Sequence, residues 1–363
     1  MAGPTIVIFH RPAGPHDAPL VRLLADVRAR LAADQADAFV AAGAGDIRWV
    51  DEVADSFGQI LAAAVPDRDG VVVFGSGAVP LLKPADAAQL LAVATAGGRR
   101  ALTNNRYSSD NCAISNASVL TQLPALPSDN ALPRWLEERS GFSVEELTGR
   151  DRLALDLDTP LDIALVALSP AAPAWLRRAA TEAGLAVPRR SELLSLSADP
   201  HRELLVFGRA GSSTLRWLER NVRCRVRFLA EERGLRASSP LAIGTPAPVH
   251  SRPPRATIGR LLARRGPAAL PDVVAELADG AIIDSRVLMA DHYGPDEAAW
   301  PAPADRYASD LLRAEEVADP WLRELTTAAA ASRRPIVLGA HTLIGPGIRW
   351  LLGTGAPPLK DPA

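Results

Sequence analysis

"VVVFGSGAVPLLKPADAAQLL", residues 71–91, decides the fold. Its first four residues, Val71 to Phe74, are continuously apolar rather than alternating, the mark of a strand buried on both faces. Gly75 and Gly77 end the strand. Pro84 stands where a helix running to Ala94 would have its first turn, a position at which the missing proline N–H does no harm. Upstream, "TIVIF" (Thr5–Phe9) is a second buried strand. A Pro/Gly loop follows it, and then a helix over Ala18–Ala42, with Leu20, Leu23, Leu24, Val27, Leu31 and Ala38 at helical spacing. A short strand at Ile47–Val50, a helix at Asp55–Ala64, a strand at Arg100–Thr103, a polar loop and a helix around Ala131–Arg139 continue the pattern. Strands alternating with helices predict an α/β fold: a mostly parallel sheet flanked by helices.

The second half repeats this grammar. "RELLVFGRAGSSTLRWLERN" (Arg202–Asn221) reads as strand, glycine loop and helix. "VRCRVRFL" alternates, with Arg223, Arg225 and Arg227 on one face and Cys224, Val226 and Phe228 on the other. "GAIIDSRVLMA" and "RPIVLGAHTLIGPG" supply further strands. The Pro/Ala stretch "SPAAPAW" (Ser169–Trp175) marks the boundary. The expected organisation is a first domain over 1–170, a second α/β domain over 171–354 and a disordered tail over 355–363. "TPAPVHSRPPRA" reads as a proline-rich loop inside the second domain.

A chain of 363 residues, 48% hydrophobic and 23% charged, has the profile of an ordinary globular protein of two domains. A net charge of −2 gives no reason to expect nucleic acid as a partner. Lys83 and Lys360 are the only lysines, so a phosphate-binding lysine in the body of the protein could only be Lys83. Cys112 and Cys224 have no metal-type spacing. No signal-like or membrane-spanning run is present, which predicts a cytoplasmic protein without a membrane partner.

In an open α/β sheet, ligands sit outside the carboxyl ends of the strands. Three segments of the first half would gather there: "IFHRPAGPHDAPL", "VPLLKPADAAQLL" and "DLDTPLDI". The last carries Asp156, Asp158 and Asp162, and paired carboxylates at that edge could hold Mg²⁺ against a phosphate. Asp158-Thr159-Pro160 could equally cap the helix beginning near Pro160.

In this order the segments resemble the nucleotidyltransferase superfamily with a glycosyltransferase-A-type fold, in particular the guanylyltransferases of molybdenum-cofactor and phospholactate metabolism and related putative glycosyltransferases. The resemblance spans roughly residues 5–168. It implies a protein that binds a nucleotide or a phosphorylated small molecule and transfers a nucleotidyl group to a phosphate acceptor, with Asp156 and Asp158 as catalytic residues holding Mg²⁺ or Mn²⁺. Arg11 and Lys83 would serve as phosphate contacts. Two positions depart from the family pattern. Ala78 stands where the family has a metal-holding Asp, and Asp17 brings a negative charge to the triphosphate loop. These departures fit an alternative, a binding or assembly module that kept the fold without the catalysis.

"NNRYSSDN" offers Asn104, Asn105, Arg106, Tyr107 and Asp110 as contacts to base, sugar or phosphate. The pattern Arg-Tyr-x-Ser-Asp recurs at Arg306–Asp310, where Ser309 or Asp310 reads as a helix N-cap. In the second half, Arg209, Ser212 and Ser213 of "GRAGSST", together with Arg225 of the arginine stripe, could form an anion pocket. The neutral alternatives are a plain N-cap and a salt-bridged face. "IIDSRVLMADHYGPDEAAWPAPADRYASDL" clusters Asp284, Asp291, His292, Asp296 and Asp305, a loose set for a metal. A second alternative therefore places the active site in the C-terminal domain. No Ser-His-Asp or Cys-His arrangement can be assembled from the sequence, because G-x-S-x-G is absent.

Overall fold

The computed structural model describes residues 3–51, 56–65, 70–107, 109–126, 129–147, 151–231 and 255–353. The expected tail over 355–363 and most of the proline-rich loop lie outside these. The chain is α/β and divides into two compact units. The described residues of the first lie in Met1–Asp17 and Arg22–Leu157. Those of the second lie in Ala18–Val21, Asp158–Ser238 and Pro248–Ala363. The division at Leu157 precedes the Pro/Ala stretch, so the helix starting at Pro160 groups with the second unit.

The first unit holds a six-stranded sheet in the order β2-β1-β3-β5-β4-β6. Its strands are β1 (Thr5–Phe9), β2 (Asp46–Val50), β3 (Val71–Gly75), β4 (Arg100–Thr103), β5 (Asn111–Ile114) and β6 (Ser143–Glu146). β1 runs parallel to β2 and β3, and β4 runs parallel to β6. β5 is antiparallel to both β3 and β4. The expected polar loop after Thr103 therefore contains a strand. "NCAI" is only four residues long and carries too little periodicity to announce itself.

The continuous apolar runs of β1 and β3 are explained by burial on both faces. Ile6, Ile8, Val72 and Phe74 pack on one side with residues of α1 (Pro19–Ala41) and α3 (Pro84–Ala94). Val7, Val71 and Val73 pack on the other with Leu61 of α2 (Phe57–Ala64) and Trp135 and Leu136 of α4 (Leu132–Ser140). Each such side chain contributes about 1.5–3 kcal/mol by leaving water.

The second unit has a four-stranded, wholly parallel sheet, β10-β9-β7-β8. It comprises β7 (Glu203–Gly208), β8 (Arg225–Ala230), β9 (Gly280–Asp284) and β10 (Ile336–Gly339). Helices α5 (Pro160–Ala167), α6 (Ala174–Glu182), α7 (Arg190–Ser197) and α8 (Ser212–Asn221) belong to it, as do the helices Ser285–Tyr293 and Pro303–Asp310. Gly208 adopts φ +125°, and a Cβ there would lie 2.3 Å from the Cβ of Asp284, so only glycine fits this strand end. No described helix is long and apolar enough to cross a membrane.

Candidate functional site

In the first unit the chain leaves β1 for β2 on one side, while β3 lies on the other. The crevice between the carboxyl ends of β1 and β3 is thus the topological switch point. His10 follows β1 and Ser76 follows β3. The His10 Nδ1 and Ser76 Oγ atoms lie 3.0 Å apart. The Ser76 N–H donates to the Phe9 carbonyl at 2.9 Å, and the Ala78 N–H closes the turn on the Gly75 carbonyl at 3.0 Å.

Beside this crevice a cavity of about 240 Å³ is lined by residues that include Phe9, Phe57, Gly75, Asp110, Asn111 and Asp129. The Phe9 and Phe57 rings sit 5.0 Å apart. Asn111 is 3% exposed, and neither its amide nitrogen nor its amide oxygen has a hydrogen-bond partner among the described residues. A buried amide without partners costs a few kcal/mol unless a solvent molecule or a ligand supplies them. Asn111 is the residue that sequence reasoning missed. Its signal was hidden because the strand that buries it was read as loop. Cys112 also lines the cavity, but burial pushes its thiol up to about 12, which leaves it unreactive.

The expected loop residues lie at this edge in varied roles. Asn104 and Asp110 bond reciprocally, the Asn104 amide to the Asp110 carboxylate at 2.6 Å and the Asp110 N–H to the Asn104 oxygen at 3.1 Å. The Asn105 side chain accepts the Tyr107 N–H at 2.9 Å. Arg106 donates to the Val144 carbonyl at 2.6 Å and pairs with Glu137 at 3.2 Å, which anchors the loop to β6 and α4. Tyr107 is half exposed, with Arg134 over its ring. Of this group only Asp110 lines the cavity. Arg11 is exposed. Asp17 accepts the Gly14 N–H at 2.8 Å, so the negative charge in the first loop also closes that loop.

Two of the motif segments do meet. Ala78 and Asp156 form a β-bridge, flanked by Val79 N–H to the Leu155 carbonyl and Leu157 N–H to the Gly77 carbonyl. Val79 is held at φ +44°, a conformation costing about 1–3 kcal/mol in a non-glycine residue. The Gln35 amide, which donates to both Ala78 and Val79 carbonyls, helps impose it. Lys83 is exposed at the N-cap of α3, where its N–H donates to Asp86. The nearly buried Asp86 carboxylate also receives a two-pronged ion pair from Arg152, at 2.6 and 2.8 Å. Asp156 thus lies opposite alanine across the bridge. Among the described residues no three His, Cys, Asp or Glu side chains converge on a metal position.

Asp158 is exposed, and Thr159 caps α5 in a reciprocal box with Asp162. One Asp162 oxygen accepts the Asp158 N–H, the Thr159 N–H and the Thr159 hydroxyl, while the other has no partner among the described residues. Burial, with Asp158 and Asp310 adding to it, raises this carboxyl well above the usual carboxylate range. A folded value above the unfolded one gives a contribution to stability that is complete below the ordinary carboxyl value and is lost as pH rises through the raised value. Urea unfolding of the wild type is expected to lose midpoint relative to Asp162→Asn as pH rises above the ordinary carboxylate range. Parallel pH profiles would refute this.

In the second unit the switch point lies between β7 and β9. Arg209 forks onto Asp284, Nε to Oδ2 at 2.5 Å and a terminal nitrogen to Oδ1 at 3.1 Å. Although burial raises the Asp284 carboxyl, Arg209 and Arg286 outweigh it and hold it below its ordinary value. Asp284 also caps the helix Ser285–Tyr293. Arg286 forks in turn onto Asp310, at 2.5 and 2.7 Å. Asp310 ends the helix Pro303–Asp310, which corrects the expectation that it or Ser309 begins one.

Ser212 and Ser213 are exposed in the first turn of α8, whose N-cap is Gly211 rather than a serine. Arg225 is exposed on β8, and its stripe neighbour Arg227 pairs with Glu203 at 3.1 Å. The looser acidic cluster is dispersed. Asp291 accepts the Ala256 N–H, Asp296 caps a short turn, and Asp305 accepts the Asp319 N–H. His292 stacks on Trp321. Compared with known protein families and with curated proteins, the chain matches none.

Proposed function

We propose that the chain binds a nucleotide at the carboxyl edge of the six-stranded sheet, with the base in the cavity beside Asn111. The observation that carries this reading is the cavity walled by Phe9 and Phe57, with Asn111 in its lining and the Asn111 amide unpartnered among the described residues. Aromatic walls with a planar donor–acceptor group suit a heterocyclic base, whose edge an asparagine amide can meet with two hydrogen bonds. Asp110 and Asp129 on the same cavity disfavour a phosphate inside it. The phosphates would then lie outside, toward the loop that carries Arg11.

Transfer of a nucleotidyl group to a phosphate acceptor is the reaction that the motif resemblance implies. Ala78 opposite Asp156 leaves the cation ligands incomplete, so the proposal is one of binding and routes no step through a metal. Calorimetric titration with a panel of purine and pyrimidine nucleotides, with and without Mg²⁺ or Mn²⁺, tests it. Saturable binding of one base class supports the reading, and a dependence on the cation would restore the transferase. No binding under any condition would remove both.

A second reading has its own observation. The glycine turn after β7 leads into exposed serines in the first turn of α8, and Arg209 of that turn pairs with Asp284. There a phosphorylated small molecule would bind through the C-terminal unit.

A further inference from the structure

We propose that His10 and Ser76 form a base–nucleophile pair, giving the switch point of the six-stranded sheet an acyl-transfer activity on small esters. They stand 66 residues apart in the chain, and the parallel pairing of β1 with β3 brings the imidazole Nδ1 to 3.0 Å from the hydroxyl. Ser76 is fixed from both sides. Its N–H is tied to Phe9, and glycines at 75 and 77 carry the chain through a tight turn at the strand end. His10 is fixed as well, its N–H donating to Val50 at 2.9 Å and its ring meeting Trp49 edge-on.

Arg28 completes the group. Its Nε is buried without a hydrogen-bond partner among the described residues, and a Cβ on Gly77 would lie 2.7 Å from it. The guanidinium therefore lies against the turn that presents Ser76, alongside Asp156, whose Oδ1 would be 2.9 Å from the same Cβ, and only glycine at 77 leaves room for both.

The chemistry balances without a metal or an oxidant. The Ser76 Oγ attacks the ester carbonyl carbon as its proton passes to His10 Nδ1, and the tetrahedral oxyanion is stabilised by Arg28. The bond to the leaving oxygen breaks, and His10 returns the proton to that alkoxide. Water, deprotonated by His10, then releases the carboxylic acid and restores the hydroxyl. Burial, reinforced by Arg28 and opposed by Asp26 and Asp51, holds the imidazole below its ordinary value, so it is a free base at neutral pH. Ser76 is only 2% exposed, and the adjacent cavity reaches Phe9 and Gly75, the residues just before His10 and Ser76. Substrates are accordingly confined to small acyl groups.

The full chain with p-nitrophenyl acetate tests the proposal. Expected are a burst of p-nitrophenolate equal to the protein concentration and a single acetyl adduct mapped to Ser76. With only two lysines, adventitious acetylation is easily resolved. Ser76→Ala should lose both burst and adduct. His10→Gln should slow acylation by about 100-fold and abolish a pH profile whose midpoint lies below that of free imidazole. If either variant fails to fold, the adduct site in the wild type decides. No burst in the wild type, or an adduct mapped elsewhere, overturns the proposal. Because the ester would enter through the cavity assigned to the base, the burst and the nucleotide titration are each measured in the absence of the other ligand, so that either can fail alone.

Discussion

Asp310→Ala is expected to destabilise the C-terminal unit by about 3–5 kcal/mol. The Arg286–Asp310 pair is almost fully buried, with side-chain exposures of 6% and 0%. Against the cost of burial, Asp310 holds the Arg286 guanidinium charged, so removing the carboxylate leaves a buried cation with no equivalent partner. Arg286 also donates to the Ser285 hydroxyl, which itself donates to the Gly339 carbonyl at the end of β10. Loss of the pair should therefore loosen the ends of β9 and β10 together. Denaturant unfolding of the variant, with hydrogen exchange to assign the unit, measures the effect. The double variant Arg286→Met/Asp310→Leu should recover much of the loss, because two apolar groups of similar size carry no desolvation cost. A loss under about 1 kcal/mol would mean the pair behaves as an exposed one.

Asp86→Ala should act comparably on the first unit, again by about 3–5 kcal/mol. Asp86 is 1% exposed and combines two jobs: it receives the Arg152 fork and bonds the Lys83 N–H at the start of α3. Arg152 also donates to the Leu81 carbonyl at 2.8 Å, so it ties the turn after β3 to the segment leading to Asp156. The exposed neighbour Lys83→Ala should stay within about 0.5 kcal/mol. Paired urea titrations of the two variants check the contrast. Equal effects would show that the ion pair does not hold this turn.

The strands and helices around "VVVFGSGAVPLLKPADAAQLL" are legible because continuous apolar runs and a proline at the first helical turn are local signals. α3 begins at Pro84 and ends at Ala94 as the pattern predicts. β5 was illegible because four residues in a polar context leave no period to read. The site suffered from the same blindness to pairing at a distance. Arg106 looks like a ligand contact in sequence, but Val144 and Glu137 engage it from elements about 30 to 40 residues away. Asp86, Arg152, Asn111 and the His10–Ser76 pair are unremarkable in sequence, and each acquires its meaning from a partner or a cavity that only the folded sheet supplies. Thr159-Pro160 was legible as a cap, and Asp162 completes it.

The most direct test of nucleotide binding at the first sheet is a calorimetric comparison of two variants against the wild type. Asn111→Leu, which removes the buried amide, should weaken the preferred nucleotide by about 1–3 kcal/mol, roughly 5- to 150-fold. Ser213→Asp, which puts a carboxylate in the exposed first turn of α8, should leave the affinity unchanged. The reverse result, with Asn111→Leu binding normally and Ser213→Asp binding poorly, would contradict the account and move the ligand to the C-terminal unit.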